Sequence, residues 1–383
     1  MLRVPAYPAA LKIAETVAVY FARRLADARA RGKMELAAAP DAATVEAVIN
    51  TAFWASLRRE EGYAPKISLA FLPPEQAGPP LKFARPLPLD AGALAKLAPA
   101  VERPGIHLGV WHCGDGGELC VWGTTRTIPR LCFVLEVIEP GLLVVKYRRG
   151  RDPGKYANVA VLRGDEVKVV DEAGASLPDC PEVLNSLIGF GPSGLTPSDS
   201  VNVLVQLAVS MRSHGRGGTL LVVPADADTW RESVRWPAPY SVEPAFPELR
   251  ELMARAAAEG DDPEWQEALR RAVEAVAGLT AVDGAAVVNE RSELLAFGAK
   301  ITRRHGAPRV ERVTLTEPVV GTAAAVVEPA QLGGTRHLSA AQFVQDQQDA
   351  LALVASQDGR FTVFSWSPCE AMVHAHRVET LLL

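Results

Sequence analysis

The stretch LGGTRHLSAAQF occupies residues 332–343. Two glycines, a threonine, an arginine and a histidine lead directly into a helical segment. A helix that only fills a core needs no such opening, whereas a helix N-terminus that holds an anion does. Gly333 and Gly334 free the backbone. Thr335 offers a hydroxyl and a helix cap, Arg336 a planar fork for phosphate oxygens, and His337 a further donor. A capped helix carrying a surface arginine is the plainer reading of the same residues. About fifty residues earlier stands VDGAAVV (282–288), followed by the strand LLAFGAKI. Here Asp283 closes a loop and opens a strand, Gly284 permits close approach to the backbone, and Ala285 keeps the wall thin. Alone, Asp-Gly before a strand reads as an ordinary turn.

Around these two stretches helices and strands alternate. Ser198 or Ser200 caps a helix through SDSVNVLVQLAVSMRSHG, and GTLLVVP (218–224) is a continuous apolar run, as in a strand buried on both faces. Two helices follow, FPELRELMARAAAEG and PEWQEALRRAVEAVAGL. After them come strands at 283–290, 293–301 and 310–316, the helix opened by GGTRH, strands at 350–356 and 359–366, and a short tail. The loop HGRGG (214–218) follows a helix, precedes a strand and lacks G-K-[ST], so it reads as a turn feeding the buried strand.

Upstream the period is that of strands. An amphipathic first helix and a second helix at 41–60 precede strands at 66–72, 107–113, 118–125, 131–138, 142–149, 158–162 and 166–172. The turns GDGG (114–117), EPG (139–141) and RGD (163–165) separate several of them. Arg148, Arg149 and Arg151 form either an anion patch or a solvated hairpin rim. The Gly-, Pro- and Ser-rich stretch 174–200 reads as a connection between domains. The expected fold is therefore an α+β, β-rich N-terminal module with leading helices (1–195), followed by an α/β domain whose mixed central sheet is flanked by helices (196–383).

A formal charge of −5 argues against a broad nucleic-acid surface, and no apolar run approaches the ~18 residues of a membrane span. The N-terminal helix carries Glu15 and reads as amphipathic, not as a signal peptide. Five cysteines, Cys113, Cys120, Cys132, Cys180 and Cys369, without a C-x-x-C, read as reduced thiols of a cytoplasmic protein. HCGDGGELC (112–120) lacks a second ligand pair for zinc.

LAVSMRSHGRGGTLLVV, AVEAVAGLTAVDGAAVV and GGTRHLSAA, in that order, together resemble the diadenylate cyclase family over roughly residues 198–366. DALALVASQDG (349–359) resembles the strand and turn that follow in that family. The N-terminal half resembles, less specifically, the DACNV-like sensor modules fused ahead of some such cyclases. The resemblance implies condensation of two ATP molecules into cyclic di-AMP and two pyrophosphates, with regulation by the N-terminal module. It implies Asp283, Arg336 and His337 as catalytic residues. Gly284, Ala285, Gly298, Gly334, Thr335, Arg336 and His337 would bind ATP. It further implies Mg2+ or Mn2+ held by Asp283, with Asp346 as a second acidic ligand, and a homo-oligomer with facing sites. The chain departs from the family at Ala281-Val282, where Leu-His is usual, and at Leu338, where arginine is usual. Val344-Gln345-Asp346 stands where a Ser-Glu pair is expected. The helical connection between Tyr240 and Val276 is longer than usual. The alternative function is a catalytically degenerate sensor that binds ATP or a cyclic dinucleotide. A third reading is an unrelated α/β protein in which the motif pair is fortuitous.

Overall fold

Apolar residues at helical spacing explain the two leading helices. In α1 (Pro8–Ala30) the side chains of Ile13, Val17, Phe21 and Leu25 are buried one turn apart. In α2 (Ala42–Ser56) the inward stripe is Val45, Val48, Ile49 and Ala52, and Asp41 caps the helix by accepting from the Thr44 N–H at 2.8 Å. The computed structural model describes residues 5–32, 36–114, 117–148, 156–171, 202–259 and 262–383. Arg149, Arg151, Cys180, the centre of the 114–117 turn, the Ser198 or Ser200 cap and the expected boundary at 195/196 lie outside these residues. The chain divides into two compact units, Met1–Val170 with Leu383, and Asp171–Leu382. The architecture is mixed α/β.

The first unit contains β1 (Ile67–Phe71), β2 (Leu81–Pro88), the short helix α3 (Ala91–Leu97), β3 (His107–Cys113), β4 (Glu118–Thr125), β5 (Phe133–Glu139), β6 (Leu142–Arg148), β7 (Tyr156–Arg163) and β8 (Glu166–Val169). They form one eight-stranded sheet in the order β2-β4-β3-β1-β5-β6-β7-β8. Among these described strands only β1 and β3 pair in parallel. Ile67, Leu69 and Phe71 join α1 and α2 in one core. The alternate face carries Ala70 and Leu72 with Trp122, whose indole N–H donates to Leu72 O at 2.9 Å. A buried polar chain also runs through this unit. Ser68 Oγ is 2.7 Å from His107 Nδ1, and His107 Nε2 is 2.9 Å from the Tyr156 hydroxyl. Lys146 pairs with Glu136 across β5 and β6. Burial pushes the His107 pKa down to about 4, with Lys146 and Arg148 adding to the effect, so the ring is neutral.

One expectation is corrected here. Cys113 and Cys120 are joined as a disulfide, not free thiols. The β3–β4 hairpin sets Cys120 opposite Trp111 and Cys113 opposite Glu118, so the two cysteines are diagonal neighbours with Cα atoms 6.0 Å apart, within bridging range.

The second unit contains α4 (Val203–Ser213), β9 (Gly218–Val223), β10 (Tyr240–Phe246), α5 (Glu248–Glu259), α6 (Pro263–Leu279), β11 (Ala285–Asn289), β12 (Leu294–Ala299), β13 (Val313–Thr316), β14 (Ala325–Val327), α7 (Thr335–Asp346), β15 (Leu351–Ala355), β16 (Phe361–Ser367) and β17 (Met372–Arg377). The tail expected after residue 366 is thus partly a strand. The α4 cap is Asn202, which accepts from the Val205 N–H. Nine strands form one mixed sheet, β10-β12-β11-β9-β15-β16-β17-β13-β14. Strand alternation divides its side chains. Leu220, Val222, Ala286 and Val288 pack with α4, α5 and α6 on one face. Leu221, Val223, Ala285, Val287, Val373 and Ala375 pack with α7 on the other. The helix α6 shows why the layer forms. Trp265, Leu269, Ala272, Val273, Val276 and Ala277 make a continuous inward stripe behind an Asp262 cap, while Arg270 and Glu274 pair on the outer face. Among the described residues no helix is long and apolar enough to cross a membrane.

Candidate functional site

Strand directions gather the motif residues on one rim of the nine-stranded sheet. β9 and β11 are parallel, so Gly217 and Asp283, just before them, lie at the same end. β12 and β15 run antiparallel to these strands, and their C-terminal ends, Lys300 and the 356–360 turn, reach that same rim. β16 begins there and β17 ends there, which adds Arg360 and Arg377. Asp283 itself lies in the bend before β11, followed by Gly284 at φ +122°, and is exposed on this rim. α7 starts above this rim. A Cβ placed on Gly217 would lie 3.1 Å from Arg336 Nη1 and 3.3 Å from Ala355 O. Asp283 and Arg336 are therefore near neighbours, separated by about one strand spacing of ~4.8 Å plus the reach of the arginine.

Asp283 is almost fully exposed, and its carboxylate pairs with Lys300 Nζ. The hydrogen bond from Lys300 and then its charge hold the carboxyl below the usual range, and Arg336 adds in the same direction. Asp283 is thus firmly ionised and a weak base. Arg336 is exposed and forms no ion pair among the described residues.

Several expectations change in detail. Gly284 has φ +122°, and a Cβ there would fall 2.6 Å from Gly298 O. Gly298 has φ +66° and is covered by the Tyr240 ring, which itself stacks on Phe297 with centroids 4.7 Å apart. These two glycines are required by the packing of β11 against β12, independent of any ligand. Ala285 is buried in the core beneath α7. Thr335 does not cap α7: the cap is Gly334, no side chain bonds to the helix start, and the His337 N–H bonds to Gly334 O at 3.0 Å. The other first-turn amides keep the free donors of any helix start.

His337 is turned inward, not toward an incoming anion. It is 2% exposed, and its ring packs edge-on against Phe364. Burial holds its pKa down to about 4, followed by the charge of Arg377, against Asp358 and with Arg360 and Arg336. A charged His337 donor is thus excluded near neutral pH in this arrangement. Gly333 is small because of this ring: a Cβ there would lie 2.5 Å from His337 Nδ1. Gly334, by contrast, has open space in front of it. Leu338 is half-buried against the same apolar cluster, so no cation is presented from this position.

Asp346 ends α7, about 15 Å along the axis from Arg336 at 1.5 Å per residue. One of its oxygens accepts from the Arg304 N–H at 2.7 Å and the other from Gln342 Nε2 at 2.8 Å. It latches the 304 loop to the helix end and is not part of the rim. Among the described residues no group of three or more His, Cys, Asp or Glu comes together to hold a metal. Asp283 alone fits only an ion that brings its other ligands with it, as Mg2+ or Mn2+ does on the phosphates of ATP.

Four contributors had gone unassigned: Lys300, the 214–218 loop, Arg360 and Arg377. The loop is the expected turn into β9, and it also makes contacts: a Cβ on Gly218 would fall 2.5 Å from Thr280 Oγ1, and Arg216 O accepts from Gln357 Nε2. The loop thus ties β9 to α6 and to the 356–360 turn beneath Arg336. The double glycine was the visible signal.

Residues 34–126 match the family described as "Probable sensor domain DACNV". The match lies within the first unit and covers about a quarter of the chain. No curated protein matches the chain. Among solved structures, the hypothetical membrane spanning protein from Bacillus cereus is similar with 15% identity and a TM-score of 0.26, over 48% of this chain. The chain spans 65% of that protein's length. A double mutant of DacA from Staphylococcus aureus is similar with 11% identity and a TM-score of 0.23, over 45% of this chain and 83% of that one. Scores this low carry no argument about the site.

Proposed function

We propose that the second unit is a diadenylate cyclase and that the first unit regulates it. The observation that carries this reading is the convergence of Asp283 and Arg336, from two motifs about fifty residues apart, on one rim of the sheet. The match of residues 34–126 to a sensor family supports the regulatory part. In the proposed reaction the 3′-oxygen of one ATP bonds to the α-phosphorus of a second. The bond to pyrophosphate breaks, the hydroxyl proton passes to solvent, and the exchange repeats with roles reversed. Two protomers, each holding one ATP, face each other. Arg336 and the free amides of α7 bind phosphate oxygens and disperse the charge that develops on them. Asp283 accepts a hydrogen bond from the ribose hydroxyl and aims it. Its low pKa suits orientation better than proton removal. Mg2+ or Mn2+ comes with the triphosphate, as part of the substrate.

A second reading is a catalytically silent sensor of ATP or a cyclic dinucleotide. The Lys300–Asp283 pair and the apolar packing of Leu338 favour it. Incubation of the full chain with ATP and Mn2+, with chromatography for cyclic di-AMP, tests the proposal. Accumulation of the cyclic product supports it, and ATP binding without product points to the silent sensor.

A further inference from the structure

The loss of an arginine at position 338 raises the question of what else neutralises a polyphosphate at this rim. α7 packs on β15, β16 and β17. On β17, Val373 and Ala375 face α7, and alternation puts Arg377 on that same face, two residues nearer the rim. Its cross-strand partner is Thr362, which keeps the parity of Phe364, the residue against which the His337 ring packs. Arg377 therefore lies beside the first turn of α7, on the side away from Gly217. Its Nε is buried and has no hydrogen-bond partner, and the residue makes no ion pair among the described residues. A buried guanidinium N–H without a partner is costly unless an acceptor arrives. Arg360, in the turn just before the neighbouring strand β16, pairs instead with Asp358 at 3.4 Å.

We infer that Arg377, reaching from β17, is the second arginine of the phosphate site and does the work that Leu338 does not. This inference rests on the proposed function, because it presumes a polyphosphate at the rim. Arg336 and Arg377 then grip the anion from opposite sides of the α7 N-terminus. Either guanidinium can present two parallel N–H donors to one phosphate. The low pKa of His337, to which Arg377 is the largest electrostatic contributor, agrees with a guanidinium close to this turn.

Titration calorimetry on the full chain with three probes, ATP, inorganic tripolyphosphate and adenosine, tests the assignment. Arg377→Gln is expected to weaken ATP and tripolyphosphate about ten- to a hundredfold, as for a lost charge-assisted contact, and to leave adenosine unchanged. Arg377→Lys, which keeps the charge and loses the fork, is expected to lose several-fold. Arg291→Gln, at the opposite rim where Arg291 pairs with Asp226, is the control and keeps parental affinity. If Arg336→Gln weakens ATP while both Arg377 variants bind it like the parent, Arg377 is not in the site and the proposed function stands. If the parent binds neither ATP nor tripolyphosphate, the proposed function falls and the inference falls with it. Should Arg377→Gln fail to fold, the lysine variant decides, and unchanged affinity there overturns the assignment.

Discussion

The two glycines of GGTRH should respond in opposite ways to the same added methyl group. A Cβ on Gly333 would sit 2.5 Å from His337 Nδ1 in a ring that is 2% exposed and walled by Phe364. The imidazole has little room to move, so Gly333→Ala is an overpacking substitution, costing about 1–3 kcal/mol. In a unit of about two hundred residues, each kcal/mol shifts the midpoint by ~2–4 °C, so Tm should fall by about 2–12 °C. Gly334 meets nothing within 4 Å and has φ −75°, which alanine adopts freely. Gly334→Ala should therefore change Tm by no more than a degree or two. Its methyl instead projects from the cap of α7 into the space a phosphate would use, and ATP affinity should drop severalfold or more. Scanning calorimetry reads the first effect and titration calorimetry the second. A Gly333→Ala protein as stable as the parent would refute the packed-histidine account. A Gly334→Ala protein that binds ATP unchanged would remove the helix start from the binding site.

Asp283→Asn should keep ATP binding and lower turnover about a hundredfold, the scale of a misaligned reacting group, as read by product chromatography; parental turnover would show that Asp283 has no part in the reaction. Asp346→Ala should lose the contacts to Arg304 and Gln342, cost about 1–3 kcal/mol in urea unfolding, and leave ATP affinity alone; weaker binding with intact stability would return Asp346 to the ligand site. The folded pKa of His337, about 4, lies below its unfolded value of about 6.5, so the folded state holds fewer protons between them. That contribution to stability is complete above pH ~6.5 and is lost as pH falls toward 4. Buried His376, held at about 3, acts in the same direction. His337→Leu should make the acid limb of a urea-midpoint profile shallower by up to one proton, and an unchanged slope would contradict a neutral buried ring. Lys146→Met should destabilise the first unit by about 3 kcal/mol or more, by leaving Glu136 without its partner in a largely buried pair; circular dichroism melts check this.

Strands with clean alternation or continuous apolar runs were legible from residues alone. HLGVWHC and ELCVWGTT match β3 and β4 at both ends. The strands that went unread are those whose side chains hide the period. β2 and β10 are edge strands, largely exposed and interrupted by proline. β17, MVHAHR, carries two buried histidines where apolar residues would have announced it. The placement of Asp283 and Arg336 at element openings was readable because turn chemistry is local. The inward turn of His337 was readable too, since Ala340, Ala341 and Val344 extend the helical stripe back to it. Phosphate chemistry competes with that stripe for the same residue, and burial prevails. The distance of Asp346 from the rim follows from helix rise alone. Arg377 had no local signal, because only the pairing of β17 with β16 brings it to the helix start.

The borders of the nine-stranded sheet limit how two such units can meet. At one border, β10 carries Pro244, and its register with β12 breaks between Ser241 and Phe246. At the other, β14 is three residues long. Neither offers the unbroken ladder of amides and carbonyls on which a foreign strand could extend the sheet. The proposed function needs two facing protomers, and a second copy would then be recognised through side chains, by shape and charge and without backbone annealing. Such an association would be graded: salt, a bound anion or a single substitution would tune it, and it would be undone without unfolding either partner.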